Sequence, residues 1–428
     1  MKCSNYNNIL HINDKLTLLF NSYSGIFIAV KNRSILKNEN LLELSNDSVI
    51  YKQLVDCGFL VDDSVDEYAK LCNLITETEN NTDEYILHVN PTLDCNLNCW
   101  YCYENHIANS KMPETIVSNI IKFVAKLIGQ NRIKRFELGF FGGEPLFYFN
   151  QIAKVLINEI NELCLDNGVL FSVHFTSNAT LLNDSIISYL AKYRCGFQIT
   201  LDGDNQYHNQ IRHFKNGIGT FEIIISNIEK LVKTGIDVII RINYTSDNVC
   251  SLSKLVNRLS KIDDKYRQVI KIDLQRVWQD RKTGEDDTEV IIKHIRHKLN
   301  EHGYKVLANF IPHNVKNICY GDKINHSVIN YNGDVFACTA RDFSESNRIG
   351  YLETNGAIIY DENILRHRNN AKLQKQVCRT CRIAPICGGG CKQCALEDLG
   401  NNNCTFGYNE NDKNNIILDI FEHSYNLG

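Results

Sequence analysis

Three cysteines fall within eight residues in the run Pro91-Thr92-Leu93-Asp94-Cys95-Asn96-Leu97-Asn98-Cys99-Trp100-Tyr101-Cys102, spaced C-x3-C-x2-C. Thiolates on one short loop can hold three irons of a four-iron cubane and leave the fourth iron open to an exchangeable ligand; four-cysteine clusters mostly transfer electrons. The alternative chemistry is zinc held by the three thiolates and a distant fourth residue. A second cysteine-dense stretch holds Cys319, Cys338, Cys378, Cys381, Cys387, Cys391, Cys394 and Cys404. The other six (Cys3, Cys57, Cys72, Cys164, Cys195, Cys250) are scattered and read as small buried hydrophobes.

The chain has 428 residues, which at roughly 150 per domain predicts two or three domains. Hydrophobic residues make up 43% and charged residues 22%, a globular balance. Lys plus Arg is 46 against 50 Asp plus Glu, a formal net charge of −4 that argues against a nucleic-acid partner. An odd count of 17 cysteines in so long a chain does not suit a secreted disulfide scaffold; reduced, metal-holding thiols in a cytoplasm suit it better. The apolar run Leu16–Phe20 contains Thr17 and is too short for a signal segment, and no stretch predicts a membrane span or a membrane partner.

These cysteines need elements to position them. Residues 1–80 read as a first small module: strands at Leu16–Phe20 and Gly25–Val30 around the turn Asn21–Ser24, then a helix over Ser48–Cys57 ending at Gly58. The polar stretch Asn73–Asp83 reads as a linker. From Tyr85 strands and helices alternate, with strands expected at Tyr85–Val89, Phe136–Phe141, Leu170–Phe175, Phe197–Leu201, Val238–Asn243 and Ile270–Val277. After Pro113, the stripe Ile116, Ile120, Val124 and Leu127 has helical spacing. Six β-α units imply a parallel sheet with right-handed crossovers, too few to close an eight-stranded barrel. The expected fold class is therefore α/β, a partial (β/α)6 TIM-type barrel over residues 85–310 with its ligands at the carboxyl ends of the strands. Residues 312–410 read as a metal-held, cysteine-rich domain with a hairpin over Asn330–Cys338 turning at Asn332-Gly333, and 411–428 as a helix or tail.

The first cysteine run, placed directly after the first barrel strand, resembles the cluster loop of the radical S-adenosylmethionine (SAM) enzymes. In that family the open iron chelates SAM, and an electron from the cluster splits it to methionine and a 5′-deoxyadenosyl radical that abstracts a substrate hydrogen. The resemblance extends along the barrel. Tyr101, just before the third cysteine, stands where the family packs an aromatic ring on adenine. Phe141-Gly142-Gly143-Glu144-Pro145 is similar to its GGEP motif, which gives Gly142 and Gly143 a close approach to the ligand and Glu144 the ligand's ammonium group. Ser177-Asn178-Ala179-Thr180-Leu181-Leu182 is similar to TNGTLL, with Ala179 for Gly. Thr200-Leu201-Asp202-Gly203 is similar to SLDG, and His208 and Arg212 match an H…R pair. Thr200, Arg212 and Leu274 become candidate SAM contacts. Tyr103, Glu104, Asp202 and Arg276 are near enough by strand logic to be candidates for handling a substrate proton.

The second cysteine region reads C-x13-G-x4-C, a gap, C-x2-C-x5-C-x3-C, a gap, C. It is similar to the SPASM domain, which carries two auxiliary iron–sulfur clusters. The resemblance assigns Cys378, Cys381, Cys387 and Cys404 to an outer cluster and Cys319, Cys338 and Cys391 to an inner one. The inner cluster then has an open iron or a fourth ligand such as Cys394 or His326. The implied cofactors are SAM and three [4Fe-4S] clusters, with a ferredoxin or flavodoxin as electron donor. Two activities compete. Sulfatase-maturating relatives typically place an Asp after the second auxiliary cysteine, where this chain has Thr339, and begin near the first cluster. Maturases of ribosomally made peptides often carry an N-terminal winged-helix module for a leader peptide, and the strand–strand–helix pattern of residues 16–60 is compatible with one. The expectation is a peptide maturase forming a thioether, a carbon–carbon bond or another oxidised residue; a non-catalytic zinc or iron–sulfur binding protein is the alternative of another class.

Overall fold

The protein, seen in a computed structural model, is described at residues 1–31, 49–130, 132–280, 287–308, 314–398 and 400–425. It divides into two compact units. One comprises Met1–Asn81, Ala308–Ile324 and Glu362–Gly428; the other, Thr82–Leu307 and Asn325–Asp361. The stretch 312–410, expected as one cysteine-rich domain, contributes to both.

The first unit opens with β1 (Lys2–Cys3), β2 (Asn7–Asn13), β3 (Leu16–Asn21), β4 (Ile26–Val30) and β5 (Leu60–Val61). Strands β2, β3 and β4 form an antiparallel meander, and β1 pairs with β5. Side chains alternate across a strand: Leu18 and Phe20 pack on Ile383, Ile386 and Ile417, while Leu19 packs on Leu54, Phe59 and Leu60. The β3–β4 turn falls at the expected place, with Asn21 Oδ1 accepting from the amides of Tyr23 and Ser24. The helix expected from Ser48 runs Val49–Asp56, Ser48 itself lying outside the described residues, and Gly58 follows it at φ +79°.

The linker reading of Asn73–Asp83 is overturned. A helix spans Glu67–Glu79, capped by Asp66 Oδ1, which accepts from Ala69 N at 3.0 Å. Leu71 and Ile75, four residues apart, give it a buried stripe against Val315, Leu373 and Ala384. Of the stretch that suggested a linker, Asn73 to Glu79 lie in this helix and Asn80 to Asp83 follow it.

The second unit is built on one sheet. Its strands are β6 (Glu84–Val89), β7 (Arg135–Phe140), β8 (Leu170–Ser177), β9 (Cys195–Leu201), β10 (Asp237–Tyr244), β11 (Ile270–Arg276), β12 (Lys305–Val306), β13 (His326–Ile329), β14 (Asp334–Phe336), β15 (Arg348–Leu352) and β16 (Ile358–Tyr360). All six expected barrel strands form, and β6 to β11 pair parallel in chain order. The result is an α/β fold with a large, mostly parallel sheet, as in a partial barrel. Helices such as Glu114–Gly129 and Phe221–Lys233 return the chain between strands. The stripe on the first of these is Val117, Ile120, Val124 and Ile128, one residue round from the expected set. One layer of the sheet alternates large and absent side chains: His88 and His174 lie beside Gly139 and Gly196 in register. A Cβ on Gly139 would meet the His88 ring at 2.6 Å.

β13 extends this sheet by pairing parallel to β6, and β14–β16 continue it antiparallel. The hairpin turns at Asn332-Gly333 as expected, with Gly333 at φ +88° and Asn330 N donating to Asp334 O at 2.9 Å. The C-terminal helix spans Glu410–Tyr425. Of the scattered cysteines Cys164 and Cys195 are buried, but Cys250 is exposed, contrary to the buried reading. Among the described residues no helix is long and apolar enough to cross a membrane.

Candidate active site at the carboxyl ends of the barrel strands

The loop that leaves β6 carries Cys95, Cys99 and Cys102, and the turn after β7 holds it by its backbone. Gly143 N donates to Thr92 O at 3.1 Å and Glu144 N to Asp94 O at 2.9 Å. That approach requires glycine. A Cβ on Gly142 would stand 2.4 Å from Thr92 O, and one on Gly143 2.1 Å from Asp94 O. Gly142 also sits at φ +101°. Within the loop, Thr92 Oγ1 accepts from Asp94 N and Ser110 Oγ from Leu93 N. The Gly-Gly pair thus grips the cysteine loop itself.

Glu144 is fully buried. Its Oε1 accepts from Ser177 Oγ at 2.8 Å and Leu146 N at 3.0 Å, and its Oε2 from Asn178 N at 2.9 Å. Burial pushes its carboxyl up to about 7 against these bonds, which favour the charged form. In this structure Glu144 therefore organises the turn after β8. Asn178, in that turn, sends Nδ2 to Asn96 Oδ1 at 2.8 Å and to Cys95 Sγ at 3.8 Å. Ala179 adopts φ +60°, the left-handed conformation that glycine adopts freely.

On the other side of the loop lies a buried polar network. Tyr101 Oη donates to Asp202 Oδ2 at 2.6 Å, and Arg212 Nε donates to the same oxygen at 2.6 Å. Arg212 Nη2 and Asn243 Nδ2 donate to Tyr101 Oη at 2.7 and 3.2 Å. Arg212 is positioned through its own backbone: Thr220 Oγ1 donates to Arg212 O and contacts His208 Nε2 at 3.0 Å. Burial lowers the His208 imidazole to about 3, so it is neutral at pH 7. Thr200 on β9 and Leu274 on β11 are both buried. Tyr103 Oη donates to Thr339 O, Arg276 pairs with Asp280, and Glu104 carries a buried Oε2 with no hydrogen-bond partner, its carboxyl pushed up to about 8 by burial.

Residues 89–257 match the radical SAM superfamily. Those residues form a radical SAM domain. The chain is 23% identical to the radical SAM cyclopropyl synthase TigE of Paramaledivibacter caminithermalis, over 93% of this chain and 91% of TigE. With a cysteine-type anaerobic sulfatase-maturating enzyme of Clostridium novyi it shares 22% identity, over 70% of this chain and 85% of that protein. Two solved structures share its fold. The structure of native anSMEcpe with bound AdoMet superposes with a TM-score of 0.57 at 15% identity, covering 79% of this chain and 96% of the other. Streptococcus suis SuiB bound to S-adenosylmethionine gives 0.53 at 14%, covering 96% and 99%.

That domain implies SAM and a [4Fe-4S] cluster, and the loop's donor set fits them. Burial pushes the Cys95 thiol up to about 12 and Cys102 to about 11, with Cys99 and a nearby carboxylate adding to each. Cys99 is raised by burial, while the Arg212 charge opposes that rise. Backbone amides of Leu97 and Glu104 donate to the sulfurs of Cys95 and Cys102. Mutually repelling thiolates with N–H donors suit a cationic cluster that replaces their protons. Among the described residues no group of three or more His, Cys, Asp or Glu side chains already converges as ligands of a single ion.

The cysteines of the second region are split between the units. Cys378, Cys381, Cys387 and Cys404 all lie in the first. They act on one another electrically: burial first, then Cys381 and Cys404, raise Cys378 to about 11, and Cys387 rises to about 12 with all three contributing. Cys391 and Cys394 adjoin, Cys394 N donating to Cys391 Sγ at 3.3 Å. Gly388, Gly389 and Gly390, at φ +63°, +79° and +86°, turn the chain between Cys387 and Cys391. Cys319 belongs to this unit too, Cys338 to the barrel unit. His326 Nε2 lies 3.0 Å from His88 Nδ1, inside the barrel sheet.

Sequence reasoning missed Asn243, Asn96 and Thr220 as parts of the site. Asn243 is marked only by being a polar residue near the end of a strand that also carries Arg241. The other two lie in loops without periodicity.

Proposed function

We propose that this enzyme is a peptide maturase that oxidatively modifies or crosslinks residues of a ribosomally made precursor. Cys95, Cys99 and Cys102 would hold a [4Fe-4S] cluster that with SAM would supply a carbon-centred radical, and auxiliary clusters on cysteines of the second region would supply an electron sink. The chain's own residues do the rest. Gly142 and Gly143 hold the cysteine loop by its carbonyls. Glu144 fixes Ser177 and Asn178 beside Cys95, and the Tyr101–Asp202–Arg212 network fixes the opposite side of the loop. Thr200, Leu274 and the ring of Tyr101 complete the cofactor's surroundings. The cysteine assignment is Cys378, Cys381, Cys387 and Cys404 for the outer auxiliary cluster and Cys319, Cys338 and Cys391 for the inner. The fourth inner ligand is Cys394, whose amide donates to Cys391 Sγ, while His326 is engaged by His88.

One observation carries this reading over formylglycine formation: alignment with the cyclopropyl synthase takes in 93% of the chain, against 70% with the sulfatase maturase. The same relative favours a carbon–carbon bond over a thioether. The residue after Cys338 is Thr339, whose carbonyl accepts from Tyr103, so no carboxylate stands there. Residues 1–80 act as a winged-helix-like leader-binding module. Its edge strand β4, partly exposed along its length, offers main-chain groups to an added leader strand. A ferredoxin or flavodoxin delivers the electrons, in the cytoplasm.

The test is anaerobic. Iron-loaded protein, SAM, dithionite and the small peptide encoded beside the gene should give 5′-deoxyadenosine and a peptide lighter by two hydrogens per new bond. Formylglycine on a sulfatase-derived cysteine peptide, with the precursor unchanged, would overturn the reading.

A further inference from the structure

The first unit contains a buried square of four charges that no cofactor motif includes. Glu79, the last residue of the helix Glu67–Glu79, places Oε1 3.4 Å from Lys372 Nζ and Oε2 2.9 Å from Lys392 Nζ. Lys372 Nζ also lies 3.0 Å from Asp322 Oδ2, and Lys392 Nζ donates to Asp322 O at 2.8 Å. The four side chains are between 4% and 13% exposed, so water does little to screen them. Two lysines balance two carboxylates, and the square is neutral only when complete.

Its corners adjoin two cysteines. Asp322 N donates to Cys319 O at 3.0 Å, and Asp322 Oδ1 accepts from Lys392 N at 3.0 Å, the amide directly after Cys391. Asp322 is close enough to Cys391 to raise its thiol, after Cys394 and burial. The same helix reaches the other cysteine set. Leu71 and Ile75 pack in a cluster that Cys378 and Cys381 border. Ile324 N donates to Glu79 O at 2.9 Å, fixing the helix end to the Cys319 segment.

We propose that Glu79 is a positioning residue for the inner auxiliary cluster: by neutralising Lys372 and Lys392 it holds the Cys319 and Cys391 segments in the spacing that cluster needs. This rests on the assignment of Cys319 and Cys391 under the proposed function. It makes the N-terminal segment part of the auxiliary-cluster machinery as well as a leader-binding module. No titration is involved; the requirement is charge balance in a buried square.

The test compares wild type, E79Q and the charge-balanced double variant E79Q/K372Q, all full-length and reconstituted without air. Wild type should hold about twelve irons, from three cubanes. E79Q should fall towards about eight, and its first cluster should keep the EPR change on SAM addition, since Cys95, Cys99 and Cys102 lie in the other unit. Any inner cluster remaining in E79Q should have a more positive midpoint potential, because an uncompensated lysine favours the reduced, more negative state. E79Q/K372Q should regain iron and return the potential towards wild type. Full iron and an unchanged inner-cluster potential in E79Q would overturn the inference alone. A wild type that holds only about four irons would overturn the auxiliary assignment and this inference together.

Discussion

In the barrel unit the cysteine loop is gripped through its backbone. The turn after the neighbouring strand supplies amides to Thr92 O and Asp94 O, and a buried carboxylate on each flank orders the side chains. In the other unit the cysteines sit on short turns and single helical turns, such as Gln376–Arg379 and Ala384–Cys387. There the holding groups come from a distant segment: the apolar stripe and terminal carboxylate of the helix Glu67–Glu79. The first site is a property of the sheet's topology. The second depends on side-chain packing between segments far apart in sequence, so single substitutions should uncouple the two.

The largest effect is expected at Asp202. It is fully buried, and removing its carboxylate leaves the Arg212 guanidinium uncompensated. Asp202→Ala should destabilise the barrel by about 3–5 kcal/mol and abolish SAM cleavage while the auxiliary iron persists. Urea unfolding followed with iron analysis checks both. Loss of iron from both units together would break that contrast.

Leu71→Ala is the mirror experiment. Leu71 is fully buried in the cluster that Cys378 and Cys381 border. Its truncation should cost about 2–5 kcal/mol and empty the outer auxiliary site, leaving uncoupled SAM cleavage at the first cluster. The measurement is 5′-deoxyadenosine formed against peptide converted. Unchanged coupling would mean that the helix is not what holds the cysteines.

Glu144 gives a pH signature confined to the barrel. Burial raises its carboxyl from 4.5 to about 7 in the folded state. Between those values the folded protein keeps a proton that the unfolded chain has lost, so stability falls as pH rises from about 5 to about 8, by up to ~3 kcal/mol. Below about 4.5 both states are protonated and the effect vanishes. Glu144→Gln should flatten that slope. Urea midpoints of the metal-loaded protein at about pH 5.5 and about pH 8 test it, and equal slopes in both proteins would show that its hydrogen bonds already outweigh burial.

What was legible in the sequence follows the same division. The six barrel strands announce themselves because each is rich in apolar or β-branched residues, several alternating them with polar ones as Ile270–Arg276 does, and the motifs stand where each strand ends. The cysteine loop, the Gly-Gly pair and the Asn332-Gly333 turn are local, and local chemistry is readable. The bonds of Glu144 to Ser177 and Asn178 were not readable, because which partner a carboxylate finds depends on a turn far along the chain. The parallel pairing of β13 with β6 joins residues about 240 apart, and no pattern in either strand specifies its partner. The helix Glu67–Glu79 hid for a different reason. Its buried stripe is narrow, and its charges, which in a solvated helix would mark the surface, here include one that is buried in an ion square.

The smallest effect sharpens the comparison at one atom. The turn after β8 has Ala179 where similar segments have glycine, and the structure holds it at φ +60° with its side chain fully buried. A left-handed conformation costs an L-residue about 1–2 kcal/mol, while glycine loses about 0.5–1 kcal/mol more backbone entropy on folding. Ala179→Gly should therefore stabilise the barrel by only about 0.5 kcal/mol. The sign is informative because Asn227 Nδ2 donates to Ala179 O at 2.8 Å, which already fixes the turn from a neighbouring helix. If that bond alone sets the conformation, glycine relieves strain and Asn178 stays beside Cys95. If the Ala179 methyl group is needed as packing in the turn, Ala179→Gly loses stability and the first cluster's EPR signal broadens, while the auxiliary clusters do not change.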